Sequence, residues 1–245
     1  MGHCRRLGLL LLLAGYSLPG TAQRLESAGL SNSLNVTQTL ARPYVIDMGS
    51  YALDTKGDNS RYDEIGYRLA AYARWQLGTG HFFVQPEVAY TSTRGQAYKV
   101  LYDLTNSQVG PSFFTFGHRI NRWEAAALGG LHTGQRTYIL AGPVLAFNQQ
   151  ESQLPVRKGY PASDAIYNSL FASVLPVQLL AQAGVGVTFG RFDFNLRFEQ
   201  SLTPYTRRFT FDGTTYRYEQ QLRQGLFTAG VLLYKRRPAA GPADR

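Results

Sequence analysis

The amino-acid sequence predicts an all-β chain, an eight-stranded antiparallel up-and-down transmembrane β-barrel. Three observations carry the prediction. Segments of about a dozen residues alternate apolar and polar side chains with a period of two, the side-chain period of a strand and not of a helix. The polar face of several segments is charged, while the other face is Phe, Leu, Val, Ala and Trp. The connections between segments alternate short and long. Strands in soluble domains usually run about 5–6 residues. At a rise of about 3.3 Å per residue and a tilt of about 45°, a dozen residues cross roughly 30 Å, the thickness of a bilayer core. The pattern therefore implies strands with an apolar lipid side and a charged lumen side.

The chain opens with Arg5 and Arg6, an apolar run over residues 7–14, and Gly20-Thr21-Ala22, a small-x-small cleavage pattern. Residues 1–22 are thus expected to be a secretory signal peptide, with Gln23 as the mature start. The run is too short for a membrane helix. The single cysteine, Cys4, lies ahead of it. The mature chain then holds no disulfide, no thiolate nucleophile and no Cys-ligated metal. Losing Arg5 and Arg6 lowers the formal charge from +9 to +7 (9 − 2). Charged residues make up 17% and aromatic residues 13%, with Tyr 16 and Phe 14. That balance suits a barrel with aromatic girdles, and not a nucleic-acid binder with Lys and Arg gathered on one face. No later apolar run approaches ~18–20 residues, so no transmembrane helix is expected.

Residues 23–42 are rich in Ser, Asn, Thr and Gln and read as a polar periplasmic segment ahead of the barrel. Asn35-Val36-Thr37 matches a glycosylation sequon, a chance match in a bacterial-type exported protein. Residues 43–53 read as a weak first strand, and the turn formers of 54–60 as a loop. In 61–76, Ile65, Tyr67, Leu69, Ala71, Ala73 and Trp75 share one face, and Gly66, Arg68, Ala70, Tyr72 and Arg74 the other. A helix would set Arg68 and Arg74 among the apolar residues. After a short turn at 77–80, residues 81–93 put Phe82, Val84, Pro86, Val88 and Tyr90 outward, with Gln85, Glu87 and Thr91 inward. Pro86 cannot donate to a ladder and marks a bulge or an unpaired position. A long loop, 94–117, leads to 118–131, with Trp123, Ala125, Ala127 and Leu131 outward and Arg122, Glu124 and Leu128 inward.

A short turn at 132–135 precedes the fifth strand, 136–149, and a second long loop, 150–173. Residues 177–189 and 191–202 alternate most strictly. Phe192, Phe194, Leu196 and Phe198 oppose Arg191, Asp193, Asn195, Arg197 and Glu199, and Gly190 between the two segments demands a tight hairpin. A third long loop, 203–221, contains Asp212-Gly213. The eighth strand, 222–234, turns Phe227, Ala229, Val231 and Leu233 outward. The barrel is thus expected over 43–234, followed by a basic, disordered tail over 235–245. Short turns at one rim and long loops at the other, with both chain ends at the short-turn rim, are the pattern of outer-membrane barrels.

The stretches FVQPEVAY (83–90), ILAGPV (139–144) and AGVGVTFGRFDFNLRF (183–198) resemble the small outer-membrane β-barrel domains of the PorT-like and OmpX/OmpA-like kind. The resemblance implies an outer-membrane barrel without an assigned reaction. It also implies an alternative role as a transport- or secretion-associated component or narrow channel. Members usually end on an aromatic residue; here residues 235–245 follow Tyr234.

The inward faces nominate a lumen charge network of Arg68, Arg74, Glu87, Arg122, Glu124, Arg191, Asp193, Arg197 and Glu199. Eight strands enclose a space only wide enough for side chains, and unpaired charge there is costly. A salt-bridged plug is expected, with a narrow ion path or proton relay as the alternative. His81 and His132 fall at short turns and His118 at the opposite edge, so no nucleophile–base–acid set or metal site converges. Gly184, Gly186 and Gly190 sit on a strand with no helix after it, unlike a dinucleotide motif. No catalytic residue, cofactor or metal is expected, and the chain reads as non-enzymatic. Among the loop cations Arg94, Lys99, Arg119, Arg157, Lys158, Arg207, Arg208, Arg217 and Arg223, the candidates for phosphate contacts are Arg157, Lys158, Arg207 and Arg208. The plainer reading is a solvated loop surface. The expected function is a monomeric structural or binding scaffold in the outer membrane. Its expected partner is outer-membrane lipid, lipopolysaccharide included, and no nucleic acid.

Overall fold

The computed structural model describes residues 24–55, 65–78, 80–94, 98–102, 112–116, 119–150 and 161–236. Residues 1–22, expected to be a signal peptide, residues 237–245 of the expected tail, and Arg157 and Lys158 lie outside these residues; Lys235, expected in the tail, is the last residue of the final strand. The strands are β1 (Arg24–Arg42), β2 (Val45–Asp47), β3 (Tyr51–Asp54), β4 (Ile65–Gln76), β5 (Phe82–Arg94), β6 (Tyr98–Tyr102), β7 (Ser112–Phe116), β8 (Arg119–His132), β9 (Thr137–Gln149), β10 (Val177–Phe189), β11 (Phe192–Ser201), β12 (Thr206–Phe211) and β13 (Thr214–Lys235). One described helix, α1 (Pro161–Ala172), precedes β10. Eight strands in the order β1-β4-β5-β8-β9-β10-β11-β13 pair antiparallel, and β1 pairs back onto β13. Closure leaves the barrel wall no free edge.

The first barrel strand is not the expected one. Residues 23–42 are not a periplasmic segment, because Arg24–Arg42 is β1, laddered to both β4 and β13. Its inward face is Ser27, Ser31, Ser33, Asn35, Thr37 and Thr39, all buried, and Leu30, Leu34 and Val36 point out. A lumen-facing strand of small hydroxyl residues reads as polar, which is how it escapes a search for apolar stripes. Residues 43–53 lie outside the barrel wall: β2 and β3 join β6 and β7 in a separate four-stranded sheet. The count of eight therefore holds with a different first member.

Pro86 pairs with Ala127 on the β8 side, while the β4–β5 ladder steps from Tyr72↔Glu87 to Trp75↔Val84 at unchanged register. The proline makes an unpaired position and no bulge, as its missing N–H requires. The β10–β11 connection takes two residues, since Phe189 pairs with Phe192 and Gly190 has φ +58°. A positive φ at the first turn position is the type II′ hairpin geometry that glycine serves.

Outward residues form an apolar belt: Leu34, Phe82 and Leu233 are 62–66% exposed. Val88, Trp123, Val185, Leu196, Phe198 and Phe227 are exposed beside them. Such continuous exposure is stable only against lipid. No described helix is long and apolar enough to cross a membrane; the crossing is made by strands. Both described chain ends lie at the short-turn rim, where Arg236 N–H donates to Glu26 O (2.8 Å) and Lys235 Nζ to Gly190 O (2.9 Å).

The opposite rim carries a folded cap where long loops were expected. The small sheet, α1, β12 and the upper part of β13 share a core of Ile46, Leu53, Tyr98, Val100, Ile166, Leu170, Phe209 and Tyr218. The β12–β13 hairpin turns at Asp212 (φ +48°) and Gly213 (φ +73°), the two left-handed positions of a type I′ turn. The outer edge of β12 is covered by α1: Ser169 Oγ accepts from Thr210 N–H at 3.1 Å and donates to Thr210 O.

Candidate functional site

The inward faces of β4, β5, β8 and β11 assemble one charge cluster. Arg68, Arg74, Glu87, Arg122, Glu124, Asp193, Arg197 and Glu199 are each no more than 3% exposed. Four cations thus face four carboxylates. Glu124 accepts from Arg68 Nε and Arg122 Nε, both at 2.7 Å, and from Thr91 Oγ1 at 2.8 Å. Glu87 takes Arg197 Nη1 at 3.0 Å, and Arg68 Nη1 stands 2.5 Å away, off the hydrogen-bond axis. Arg122 Nη2 also donates to Glu199, which accepts from Gln182 Nε2 at 3.2 Å.

A second group lies nearer the short-turn rim. Asp193 accepts from Tyr138 OH (2.8 Å), Thr188 Oγ1 (2.9 Å) and Tyr72 OH (3.3 Å), with Arg74 Nη2 at 3.6 Å. The Arg74 guanidinium also stacks over Tyr138 (4.2 Å) and Phe83 (4.7 Å). Gln85 links the groups, accepting from Arg74 (2.9 Å) and donating to Glu87 (3.1 Å). Phe83 and Tyr138 rings lie where β-carbons at Gly130 and Gly186 would stand, so those glycines give the rings room.

Arg191, the ninth predicted member, is exposed in the β10–β11 turn. The alternation of β11 does not continue through a two-residue turn. Tyr72, Gln85, Tyr138 and Gln182 are network members that a search for charge alone passes over. Their inward positions on the period of two were the available signal. Phe83, Leu128, Leu140, Val144 and Leu180 belong to one buried apolar cluster on part of the lumen wall, while the inward face of β1 and Thr228 of β13 line it with small polar side chains. At the cap end, Ile120, Val174, Tyr205 and Leu222 form a buried apolar cluster.

No group of His, Cys, Asp and Glu among the described residues has the arrangement of a metal site. His132 Nε2 stands 3.1 Å from Glu26 Oε2 at the short-turn rim, and His118 lies outside the described residues. Arg207 and Arg208 are exposed on β12, beside Arg217 of β13. In the cap, burial pushes the Tyr98 hydroxyl up to about 12, and raises Tyr218 well above its ordinary value. Gln220 Nε2 donates to Tyr98 OH at 2.8 Å.

No family model and no curated protein matches the chain. Several solved structures share its architecture. Ail, the attachment invasion locus protein of Yersinia pestis, in complex with the heparin analogue sucrose octasulfate, is 11% identical with a TM-score of 0.40, covering 86% of this chain and 100% of that one. The same outer-membrane protein in a phospholipid bilayer nanodisc is 12% identical with a TM-score of 0.38, covering 84% and 99%. The outer-membrane protein AlkL in lipid bilayers is 9% identical with a TM-score of 0.35, covering 92% and 99%. At these scores the likenesses say nothing about what this chain binds.

Proposed function

We propose that the chain is a monomeric, non-enzymatic outer-membrane anchor with a sealed lumen, and that its work is binding by the cap on the outer surface. The observation that carries this reading is the composition of the lumen. Eight mutually compensated charges occupy it, and the apolar cluster Ile120, Val174, Tyr205 and Leu222 lies between them and the cap. A conduit for ions needs a wet path, whereas an eight-strand barrel of this kind has room only for its side chains. The cap supports the binding half of the reading. Loops that serve only as connections need no shared core, and this one gathers residues from β2, β3, β6, α1, β12 and β13. The lipid-facing belt and the closed wall support a monomer lodged in the outer membrane by strands. Short turns on the periplasmic side put the cap outside.

Planar-bilayer recording of the purified full chain tests the seal. No steady channels are expected, and steady unitary conductance would overturn the sealed-lumen reading. That same result would favour the transport alternative. Membrane fractionation with heat-modifiable gel mobility tests the location, with recovery in the periplasm as the contrary result.

A further inference from the structure

The outward face of β13 changes character along its length. Leu233, Val231, Ala229 and Phe227 belong to the lipid belt; beyond Gly225 the same face reads Arg223, Gln221, Glu219, Arg217 and Thr215. On β12, Arg208 pairs directly with Arg217. Side chains so opposed have β-carbons about 4.5–5.5 Å apart, and like charges there are destabilising. The ladder also shifts register between Thr206 and Arg208, and the bulge leaves Arg207 and Arg208 both exposed. Arg207, Arg208, Thr215, Arg217 and Glu219 line one depression of about 400 Å³. Glu219 takes Arg217 at 2.8 and 3.2 Å. Among the described residues, Arg207 and Arg208 have no ion-pair partner. Three guanidinium groups and one carboxylate give the depression a charge of +2 (3 − 1).

We infer that this depression binds a phosphate monoester borne on the sugar of a membrane-anchored glycolipid. A monoester carries about −1.5 to −2 charge at neutral pH with several acceptor oxygens, enough to bridge Arg208 and Arg217 and still reach Arg207. A carboxylate brings one charge and two oxygens, and Glu219 already supplies that to Arg217. Height selects the source. Arg223 stands first above the belt, and Arg217 is six residues further along β13, roughly 20 Å of strand or about 14 Å of height at a 45° tilt. Phospholipid phosphates at the edge of the belt lie too low, whereas a phosphorylated sugar carried outward from its acyl chains reaches the site. The inference rests on the cap facing outward, as proposed above.

The test uses the purified full chain with glucose 6-phosphate, glucose and inorganic phosphate as soluble probes. It adds phosphatidylcholine nanodiscs with and without a phosphorylated core-bearing lipid A. Calorimetry should give binding of glucose 6-phosphate but not glucose, weakening as salt rises. Arg208→Gln should weaken it at least about tenfold, as loss of a charge-assisted donor does. The same variant, relieved of a like-charge pair, should unfold at an unchanged or higher temperature without ligand, so its lost binding is not misfolding. Arg223→Gln, outside the depression, should bind glucose 6-phosphate as the parent chain does. Equal binding of glucose and glucose 6-phosphate, or undiminished binding by Arg208→Gln/Arg217→Gln, overturns the site. Binding of the soluble probe with no preference for nanodiscs holding the phosphorylated glycolipid overturns the glycolipid as its source. Protease cleavage of the cap in intact cells reads the orientation separately, so its failure is distinguishable from failure of the site.

Discussion

Glu124→Gln is the sharpest probe of the lumen network. The carboxylate accepts from Arg68 Nε and Arg122 Nε at 2.7 Å and from Thr91 Oγ1 at 2.8 Å, and the residue is 1% exposed. The amide is nearly isosteric, so packing stays and charge goes. The cluster moves from four cations and four carboxylates to four and three. Removing one partner of a buried ion pair costs about 3–5 kcal/mol, because the charge left behind is desolvated and uncompensated. That is a factor of roughly 10²–10⁴ in the folding equilibrium. The double variant Arg68→Gln/Glu124→Gln restores neutrality. It leaves Glu87 on Arg197 (3.0 Å), Glu199 on Arg122 and Asp193 near Arg74 (3.6 Å). Its cost should fall below that of the single variant, since a removed pair leaves no orphaned charge. Urea unfolding in lipid vesicles, followed by the fluorescence of Trp75 and Trp123, measures both. The reasoning fails if Glu124→Gln costs under about 1 kcal/mol, or if the double variant costs the sum of the two singles.

Other variants test the wall and the cap. Asn32 is exposed within the lipid belt, between Leu69 and Ala229, so Asn32→Leu should stabilise the barrel by about 1–2 kcal/mol in the same unfolding assay. Gly186→Ala places a methyl where the Tyr138 ring lies, displacing the ring from Asp193 and Arg74; a loss of about 1–3 kcal/mol is expected. Tyr98 must stay neutral in the folded cap while the unfolded chain ionises at its ordinary value near 10. Cap stability should therefore be full below pH 10 and fall as pH rises through about 12. Hydrogen exchange across that range should show β6 and the upper part of β13 opening before the barrel strands.

Much of this architecture was legible in strand parity. Arg68, Glu87, Arg122 and Arg197 fall on inward positions because a pleated strand sends alternate side chains to opposite faces, and each of these strands has an unbroken apolar partner face. Parity misleads at Arg191, where the strand has already ended. It also misleads on β1, whose outward Leu30, Leu34 and Val36 are interrupted by Asn32 and Gln38. The cap was illegible for a different reason. Its core joins Ile46, Val100, Ile166 and Phe209 from separate connections, and no period within one segment reports contacts made between several. Two local traces remain: Asp212-Gly213, the type I′ pair of the β12–β13 hairpin, and α1, where Ile166 with Leu170 and Tyr167 with Phe171 sit four apart after a helix-starting Pro161 and with Asp164 in the first turn.

The lumen pairs join walls that do not touch. Arg68 on β4 meets Glu124 on β8 past β5, Arg122 on β8 meets Glu199 on β11 past two strands, and Arg197 on β11 meets Glu87 on β5 past three. Belt and ladder alone leave an ambiguity. A slip of one residue turns lipid-facing side chains into the lumen, but a slip of two preserves the alternation and every class of backbone hydrogen bond. The cross-lumen pairs remove that degeneracy, because a two-residue slip moves a guanidinium about 7 Å from its carboxylate and leaves both buried. The small residues of β1 serve the same end from the other side: Ser33 meets Thr228 at 2.8 Å, where closure brings the first and last strands together. Register fixed at closure then runs on along β13 into the cap, and sets both the packing of Tyr218 in its core and the opposition of Arg217 to Arg208. The charged lumen thus does for the cap what an apolar lumen of equal volume would not: it fixes which residue of β13 stands at which height above the membrane.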